Sequence, residues 1–150
     1  IGRAHGGTID KFMGDGILAS FGSTSPSTTY AADALRAADD IMDAATAWGN
    51  RRVAAGLERL DIGAGVTAGE LVFGVIGFEN RLEYTVIGET VNLAAKLEKF
   101  NKAEQVRSLT TVTTLDLAKA QGYQAPSPKE IRLNREVSGV GSPIDLVVIA

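Results

Sequence analysis

The amino-acid sequence predicts an α+β fold in which helices pack on a mostly antiparallel sheet. Read along the chain, the local patterns are a hairpin, a helix, a hairpin, a helix, a strand, a helix and a final hairpin. Of the 150 residues, 45 % are hydrophobic and 22 % are charged, which is typical of a soluble globular protein and unlike a disordered chain. A chain of this length is expected to form one domain, residues 1–150.

The first hairpin is predicted from two apolar-rich runs, residues 8–13 and 17–21. The residues between them, Gly14 to Gly16 with Asp15 at the centre, are types that hairpin turns favour. Ahead of the hairpin, two successive glycines resemble the end of a helix. Because the chain opens with Ile1 rather than Met, we expect it to be an N-terminally truncated part of a longer protein.

The longest helical pattern runs from Tyr30 to about Gly56. Apolar residues recur every three or four positions and give this helix one apolar face. They are Ala31, Leu35, Ala38, Ile41, Met42 and Ala45. A hydroxyl residue of the loop over 23–29 is suited to cap the helix, and Gly49 with Asn50 is a possible break in it.

The rest of the chain alternates shorter patterns. Apolar and polar residues alternate over 60–66, which predicts a strand that pairs with a second strand over 71–76. The further predictions are strands over 84–87 and 108–112, helices over 90–100 and 113–121, and a final strand pair over 131–133 and 144–149.

Composition excludes several classes of protein. The absence of cysteine excludes disulfides and cysteine metal sites, and a single histidine excludes a multi-histidine site within one chain. A net charge of −3 provides no general attraction to nucleic acid, so no nucleic-acid partner is expected. No apolar run approaches the roughly 20 residues that span a bilayer. We therefore expect a cytoplasmic domain, although a longer parent protein is free to carry a membrane anchor. His5 is expected to be an exposed loop residue.

Two candidate functional residues lie on the first hairpin. Asp15 sits between two glycines, so its carboxylate is open to a divalent cation such as Mg²⁺, which prefers carboxylates and phosphates. Strand alternation places Lys11, Met13 and Asp15 on one side if the turn keeps the register. Taken alone, these patterns favour an ordinary turn residue and a solvated lysine.

A third candidate is the helix that follows Gly88. Asn92 and Lys96 are four residues apart and share one face near the helix N-terminus, where anions are favoured. The ammonium of Lys96 suits phosphate, and the amide of Asn92 can donate or accept. An equally balanced alternative is that Asn92 caps the helix locally and Lys96 pairs with Glu89 or with neighbours on the Glu98 side.

Three segments, taken in order, resemble one known family. Residues 12–22 (FMGDGILASFG) resemble the metal-binding hairpin of class III nucleotidyl cyclase catalytic domains. Residues 62–77 (IGAGVTAGELVFGVIG) look like the family's next hairpin, and residues 81–98 (RLEYTVIGETVNLAAKLE) are similar to its strand–helix signature. The resemblance extends over nearly the whole chain and implies a ferredoxin-like α/β sandwich.

The resemblance implies a specific activity. Members convert a nucleoside triphosphate to the 3′,5′-cyclic monophosphate and pyrophosphate, with two divalent ions, Mg²⁺ or Mn²⁺, at each site of a head-to-tail homodimer. By position, Asp15 matches a metal ligand, and Lys11 and Thr85 match the purine-reading residues. Asn92 matches the residue that orients the ribose, and Lys96 matches the phosphate-binding residue. The last four would act with Asp15 of the partner subunit.

The residue types at the purine-reading positions favour ATP over GTP. Adenine N1 is an acceptor and suits the Lys11 ammonium, and the hydroxyl of Thr85 can accept from the exocyclic amine. Guanine would present an N–H group to the ammonium, and such unpaired groups discriminate strongly against a substrate. The sequence therefore resembles an adenylate cyclase, a lyase of cyclic-AMP signalling.

The chain departs from the family pattern in two ways. The family's second metal aspartate lies on an upstream strand that this chain lacks, and loss of that strand is expected to expose a sheet edge. Lys96 replaces the usual Arg, which keeps the charge but loses the planar fork. These departures motivate an alternative, a catalytically silent cyclase-homology module that dimerises or senses nucleotide. Both interpretations are compatible with an upstream regulatory domain.

Overall fold

The computed structural model describes residues 1–23, 26–78 and 81–150, and it describes side chains outside residues 73–86. The described strands are β1 (Gly7–Met13), β2 (Gly16–Phe21), β3 (Ala64–Gly65), β4 (Val72–Phe78), β5 (Arg81–Ile87), β6 (Ser108–Thr111), β7 (Glu130–Arg135) and β8 (Ile144–Val148). The described α-helices are α1 (Tyr30–Ala54), α2 (Glu89–Glu104) and α3 (Val112–Ala120), and a short 3₁₀ turn covers Arg3–His5. None of these helices combines the length and apolar character that crossing a membrane requires.

The strands pair mainly in antiparallel fashion, as the sequence predicts. Strands β1 and β2 form one antiparallel hairpin, and β4 and β5 form another. The four remaining strands form a sheet in the order β3-β6-β8-β7, in which only the β3–β6 pair is parallel. The predicted α+β class, with helices on a mostly antiparallel sheet, is confirmed.

Helices cover both faces of the four-stranded sheet. Because successive residues of a strand point to opposite faces, Leu146 and Val147 of β8 enter different clusters. Val147 packs with residues of α1 and α3, among them Leu35 and Leu115. Leu146 packs with Leu97 of α2 and with two further buried residues, Leu109 and Val137. The second cluster fixes α2, the helix that carries Asn92 and Lys96, to the sheet.

A buried polar cluster joins α1 to the C-terminal part of the chain. The hydroxyl of Tyr123 donates to Asp39 Oδ2 at 2.6 Å, and the ammonium of Lys129 donates to Asp39 Oδ1 at 2.7 Å. Lys129 also donates to the carbonyl of Ile149 at 3.2 Å. Burial, and then the hydrogen bond to Asp39, raise the pKa of the Tyr123 phenol well above its usual range.

Three sequence predictions about elements are wrong. The strands predicted over 60–66 and 71–76 do not pair with each other, because in the described part of the chain β3 pairs with β6 and β4 pairs with β5. Only Ala64–Gly65 of the predicted strand over 60–66 is a strand, since the alternating Leu60 and Ile62 stay 42 % and 41 % exposed and do not face a core. The possible break at Gly49 does not occur, because α1 continues to Ala54. Gly49 is buried within that helix, where its missing side chain leaves room for Arg59. The other predicted elements are present with shifted ends.

An apolar groove separates the first hairpin from the four-stranded sheet. Residues 17–21 of the β2 side and residues 64–69 of the β3 side form its walls, and α1 and α2 contribute to its lining. Its volume is about 240 Å³. Within the described residues, β2 pairs only with β1 and β3 only with β6, so each strand has one unpaired edge.

Candidate functional site

The first hairpin exposes both of its candidate residues. Asp15 is exposed in the turn between β1 and β2, and Lys11 is exposed on β1. The register places Ile9 opposite Ala19 but Lys11 opposite Leu18, so Asp10 is an extra, bulged residue. A bulge of this kind redirects the side chains that follow it, and it is the local feature that sets the face on which Lys11 lies. That the side chains of Lys11 and Asp15 lie on one side of the hairpin stays a prediction.

Asp10 is a residue that the sequence analysis missed. Its Oδ2 atom is buried and accepts no hydrogen bond from the described part of the chain. The bulge therefore places a sheltered carboxylate next in sequence to the exposed ammonium of Lys11.

Helix α2 begins directly after Gly88, its N-cap residue. The Asn92 backbone N–H donates to the Gly88 carbonyl at 3.1 Å in the first turn, and the Asn92 side chain is exposed. Thr90 ties this turn to the loop between β3 and β4, because its hydroxyl donates to the Glu70 carbonyl at 2.7 Å and its carbonyl accepts from the Thr67 hydroxyl at 2.6 Å. The start of α2 is thus anchored by neighbours of Asn92, while the amide of Asn92 remains accessible.

The Lys96 side chain contacts a loop carbonyl rather than a carboxylate. Its Nζ donates to the Gly139 carbonyl oxygen at 2.8 Å. The predicted alternative, an ion pair with Glu89 or with a neighbour on the Glu98 side, is absent among the ion pairs of the described residues. Lys96 therefore keeps an ammonium that no carboxylate of the described residues neutralises.

Strand β5 lies next to both β1 and α2. Thr85 is on β5, with its backbone opposite Gly74 of β4, and its side chain lies outside the described residues. Since β1 carries Lys11 and α2 carries Asn92 and Lys96, the fold brings together the elements that hold four of the five predicted site residues. Asp15, the fifth, lies in the turn between β1 and β2.

The candidate residues supply only part of the ligand set that a divalent cation needs. Asp15 is an exposed carboxylate, and Mg²⁺ commonly takes one or two carboxylates together with substrate phosphates. Among the side chains that the structure describes, those outside residues 24–25 and 73–86, no three His, Cys, Asp or Glu side chains cluster in a way that could hold a metal ion. Asp15 is therefore suited to supply one ligand of a site that other groups complete.

The prediction for His5 needs correction. This residue is half-buried, and its Nε2 lies 2.7 Å from Asp40 Oδ2 on α1. The two residues are 35 positions apart, so patterns among neighbouring residues do not predict this contact. The contact ties the start of the chain to α1, outside the candidate site.

Comparison with known proteins gives one consistent result. Residues 4–143 match the family model described as the adenylate and guanylate cyclase catalytic domain. A Mycobacterium tuberculosis protein of uncharacterised function is 39 % identical over 114 residues, 76 % of this chain and 20 % of that protein. Adenylate cyclase 1 of Rhizobium meliloti is 32 % identical over 131 residues, 79 % of this chain and 20 % of that protein. The chain thus spans about a fifth of the length of such relatives.

Solved structures agree with the sequence match. The adenylyl cyclase CyaB from P. aeruginosa superposes with a TM-score of 0.82 at 27 % identity, over 97 % of this chain and 72 % of that one. The guanylyl cyclase Cya2 superposes with a TM-score of 0.79 at 31 % identity, over 97 % of this chain and 71 % of that one. Both kinds of cyclase therefore share this fold.

Proposed function

Because this chain belongs to the adenylate and guanylate cyclase catalytic domain family, we propose that it is the catalytic domain of an adenylate cyclase. The reaction would convert ATP to 3′,5′-cyclic AMP and pyrophosphate. One observation carries the proposal: β5 lies against both β1 and α2, the elements that hold Lys11, Asn92 and Lys96. The similarity to an adenylate cyclase of Rhizobium meliloti supports it. The domain assignment, residues 1–150, is part of the same proposal.

Base recognition would fall to Lys11 and Thr85. The exposed ammonium of Lys11 can donate to adenine N1, and a threonine hydroxyl can accept from the exocyclic amine. With guanine, the N–H at the same ring position would face the ammonium, leaving two donors opposed. A site that leaves such groups unpaired discriminates by several powers of ten, so we propose ATP as the substrate.

Ribose and phosphate recognition would fall to α2. The Asn92 amide is exposed beside a first turn that Thr90 and Gly88 hold in place, so it can contact the ribose without rearrangement. Lys96, one turn further along, offers its positive charge to the polyphosphate. An asparagine that contacts the ribose only as the ring closes would lower the barrier to cyclisation.

The divalent ions, Mg²⁺ or Mn²⁺, would be held partly by Asp15. When bound, two such ions would activate the ribose 3′-hydroxyl and neutralise charge on the phosphates. We propose that each site forms at a homodimer interface, with Asp15 of the partner subunit completing the set on β1, β5 and α2. The second carboxylate would come from an upstream strand, and the groove between β2 and β3 has an unpaired strand edge on each side to receive it.

One observation favours a second candidate function. Among the described residues Asp15 has no second and third carboxylate near it to complete a metal site. A silent cyclase-homology module, which dimerises or senses nucleotide for an upstream regulatory domain, would need no such set. Under both proposals, the domain would lie in the cytoplasm.

Substitution of the hairpin carboxylate separates the two functions. In this and every other activity measurement, the chain is extended by the upstream strand that would carry the second metal carboxylate. We expect Asp15→Asn to reduce Mn²⁺-dependent formation of cyclic AMP by at least about 100-fold, since the amide cannot replace an anionic ligand. Asp116→Asn is the matched control, because Asp116 is an exposed carboxylate on α3 away from the candidate site. Equal rates for Asp15→Asn and the unsubstituted chain would refute the metal role. ATP binding without any cyclic AMP from either would support the silent module.

A further inference from the structure

The loop between β7 and β8 holds the Lys96 ammonium through a backbone carbonyl. Nζ donates to the Gly139 carbonyl oxygen at 2.8 Å, across 43 positions of sequence. The methylene groups of Lys96 also lie against this loop, since a Cβ built on Gly139 would be 3.2 Å from Cε and 3.7 Å from Nζ. The side chain is half-buried as a result, so its direction is restrained at both its stem and its head.

The loop is itself anchored to the core beneath α2. Val137 is 3 % exposed and belongs to the cluster that contains Leu97, the residue that follows Lys96. Val140 packs on the same cluster, and its N–H donates to the Val137 carbonyl at 3.0 Å to close a turn. Gly139 is the third residue of that turn, with a φ of 83°, which favours glycine. The carbonyl that faces Lys96 is therefore held in place by packing.

An ammonium held in this way keeps its capacity for an anion. It has three N–H donors, and the Gly139 carbonyl uses one of them, which leaves two for phosphate oxygens. A lysine lacks the planar fork by which an arginine orients itself on a phosphate. A fixed carbonyl on one side of the ammonium supplies part of that missing orientation.

We propose that Gly139 is a positioning residue for phosphate recognition, whose carbonyl aims the Lys96 ammonium at the polyphosphate of the nucleotide. The inference rests on the proposed function, since it assigns a phosphate to Lys96. It adds a residue from the β7–β8 loop to a site otherwise built from β1, β5 and α2.

A substitution at Gly139 tests the proposal, with a control in the same loop. Gly139→Ala adds a methyl group 3.2 Å from Lys96 Cε at a backbone position that disfavours alanine, so we expect the contact between the carbonyl and the ammonium to be disturbed. Gly141→Ala is the matched control, because a Cβ there would meet nothing within 4 Å. Gly139→Asn adds the same Cβ, and because asparagine tolerates positive φ it serves if the alanine variant does not fold.

The quantity to measure is the dissociation constant for tripolyphosphate in the presence of Mn²⁺, by isothermal titration calorimetry, with Tm recorded for each variant. We expect Gly139→Ala and Gly139→Asn to bind about five- to tenfold more weakly, as the loss of one hydrogen bond allows. Gly141→Ala should bind like the unsubstituted chain. Adding Gly139→Ala to Lys96→Met should cause no further loss, because the two residues act through one contact.

The results that would contradict the positioning role of Gly139 differ from those that would contradict the proposed function. Unchanged or tighter binding by both Gly139 variants, or a full additional loss on the Lys96→Met background, would overturn the positioning role and leave the proposed function intact. If the unsubstituted chain does not bind tripolyphosphate, or if Lys96→Met binds it equally well, the phosphate role of Lys96 in the proposed function fails, and the inference fails with it.

Discussion

At the scale of single residues, the account depends most on Asn92, which is exposed one turn before Lys96 on α2. We expect Asn92→Ala to lower kcat for ATP cyclisation by roughly 100-fold, the size typical of a lost transition-state donor, and to change KM by less than about threefold. Alanine is the better helix former, so the loss would not come from unfolding.

Lys99→Ala is the control for that experiment, because Lys99 is also exposed on α2 and no predicted role falls on it. Steady-state kinetics with Mn²⁺ and ATP supply both constants. An equal effect on kcat and KM, or an effect no greater than that of the control, would argue against a role of Asn92 in the transition state.

A second residue-scale prediction concerns pH. The folded state raises the pKa of Tyr123 through burial and the hydrogen bond to Asp39, so the neutral phenol is favoured by folding. This contribution is complete below the ordinary tyrosine pKa of about 10 and is lost as pH rises above it, by at most about 1.4 kcal/mol per pH unit. The charged groups nearby are Asp39, Lys129 and Arg36.

Tyr123→Phe removes this titration and leaves the other tyrosines in place. Urea unfolding at pH 9 and pH 11 measures the difference. We expect the free energy of unfolding to fall more between these pH values in the unsubstituted chain than in Tyr123→Phe. Equal falls would show that the Tyr123 phenol does not contribute to alkaline sensitivity.

At the scale of elements, the site depends on the close approach of α2 to β3. A Cβ on Gly65 would clash with the Ala94 carbonyl oxygen and lie 2.7 Å from the Glu98 backbone nitrogen. Both atoms belong to the α2 backbone, so α2 and β3 must move apart to accept a methyl group. We expect Gly65→Ala to lower the free energy of unfolding by about 2–3 kcal/mol, and to weaken ATP binding because α2 carries Asn92 and Lys96.

Gly63→Ala is the control for that change. The nearest atom to a Cβ there is Glu98 Oε1 at 3.2 Å, the end of a flexible side chain that can move aside. Urea denaturation should therefore show a much smaller loss for Gly63→Ala. Similar stability of the two variants would contradict the packing described for α2 and β3.

At the scale of the whole molecule, the proposed sites are shared between two subunits. Asp15→Asn should impair the ion-binding part of each site, and Asn92→Ala should impair the part on α2. In a mixture of equal amounts, half of the dimers would be mixed, and each mixed dimer would hold one intact site. We therefore expect the mixture to recover about a quarter of the activity of the unsubstituted chain.

Dilution of the unsubstituted chain is the companion experiment, because the activity per chain should fall as dimers dissociate. A mixture that stays as inactive as its components, while the unsubstituted chain is active, would contradict a site shared between subunits. Activity per chain that is independent of concentration across the dissociation of the dimer would contradict it as well.

Much of the fold was predictable because its signals are local. The first hairpin follows from glycines around Asp15, and the presence and start of α1 follow from apolar residues at helical spacing. The predicted strand over 60–66 failed because alternation alone does not show whether a core faces it. Leu60 and Ile62 have no such core and stay exposed.

The candidate site was predictable in part for the same reason. Asn92 and Lys96 share a face by helix geometry, and the order of three motifs pointed to the cyclase family. The contact of Lys96 with Gly139 was not predictable, because a lysine surrounded by glutamates in sequence favours an ion pair. The loop carbonyl that it meets is brought there only by the packing of Val137 under α2.

The measurement that tests the central claim most directly is product identification by mass spectrometry. The chain, extended by the upstream strand that carries the second metal carboxylate, is incubated with equal concentrations of ATP and GTP and with Mn²⁺, and the cyclic nucleotides are quantified. With Lys11 and Thr85 at the purine-reading positions, the account predicts cyclic AMP in clear excess over cyclic GMP. Cyclic GMP in excess, or ATP bound with no cyclic product, would contradict it.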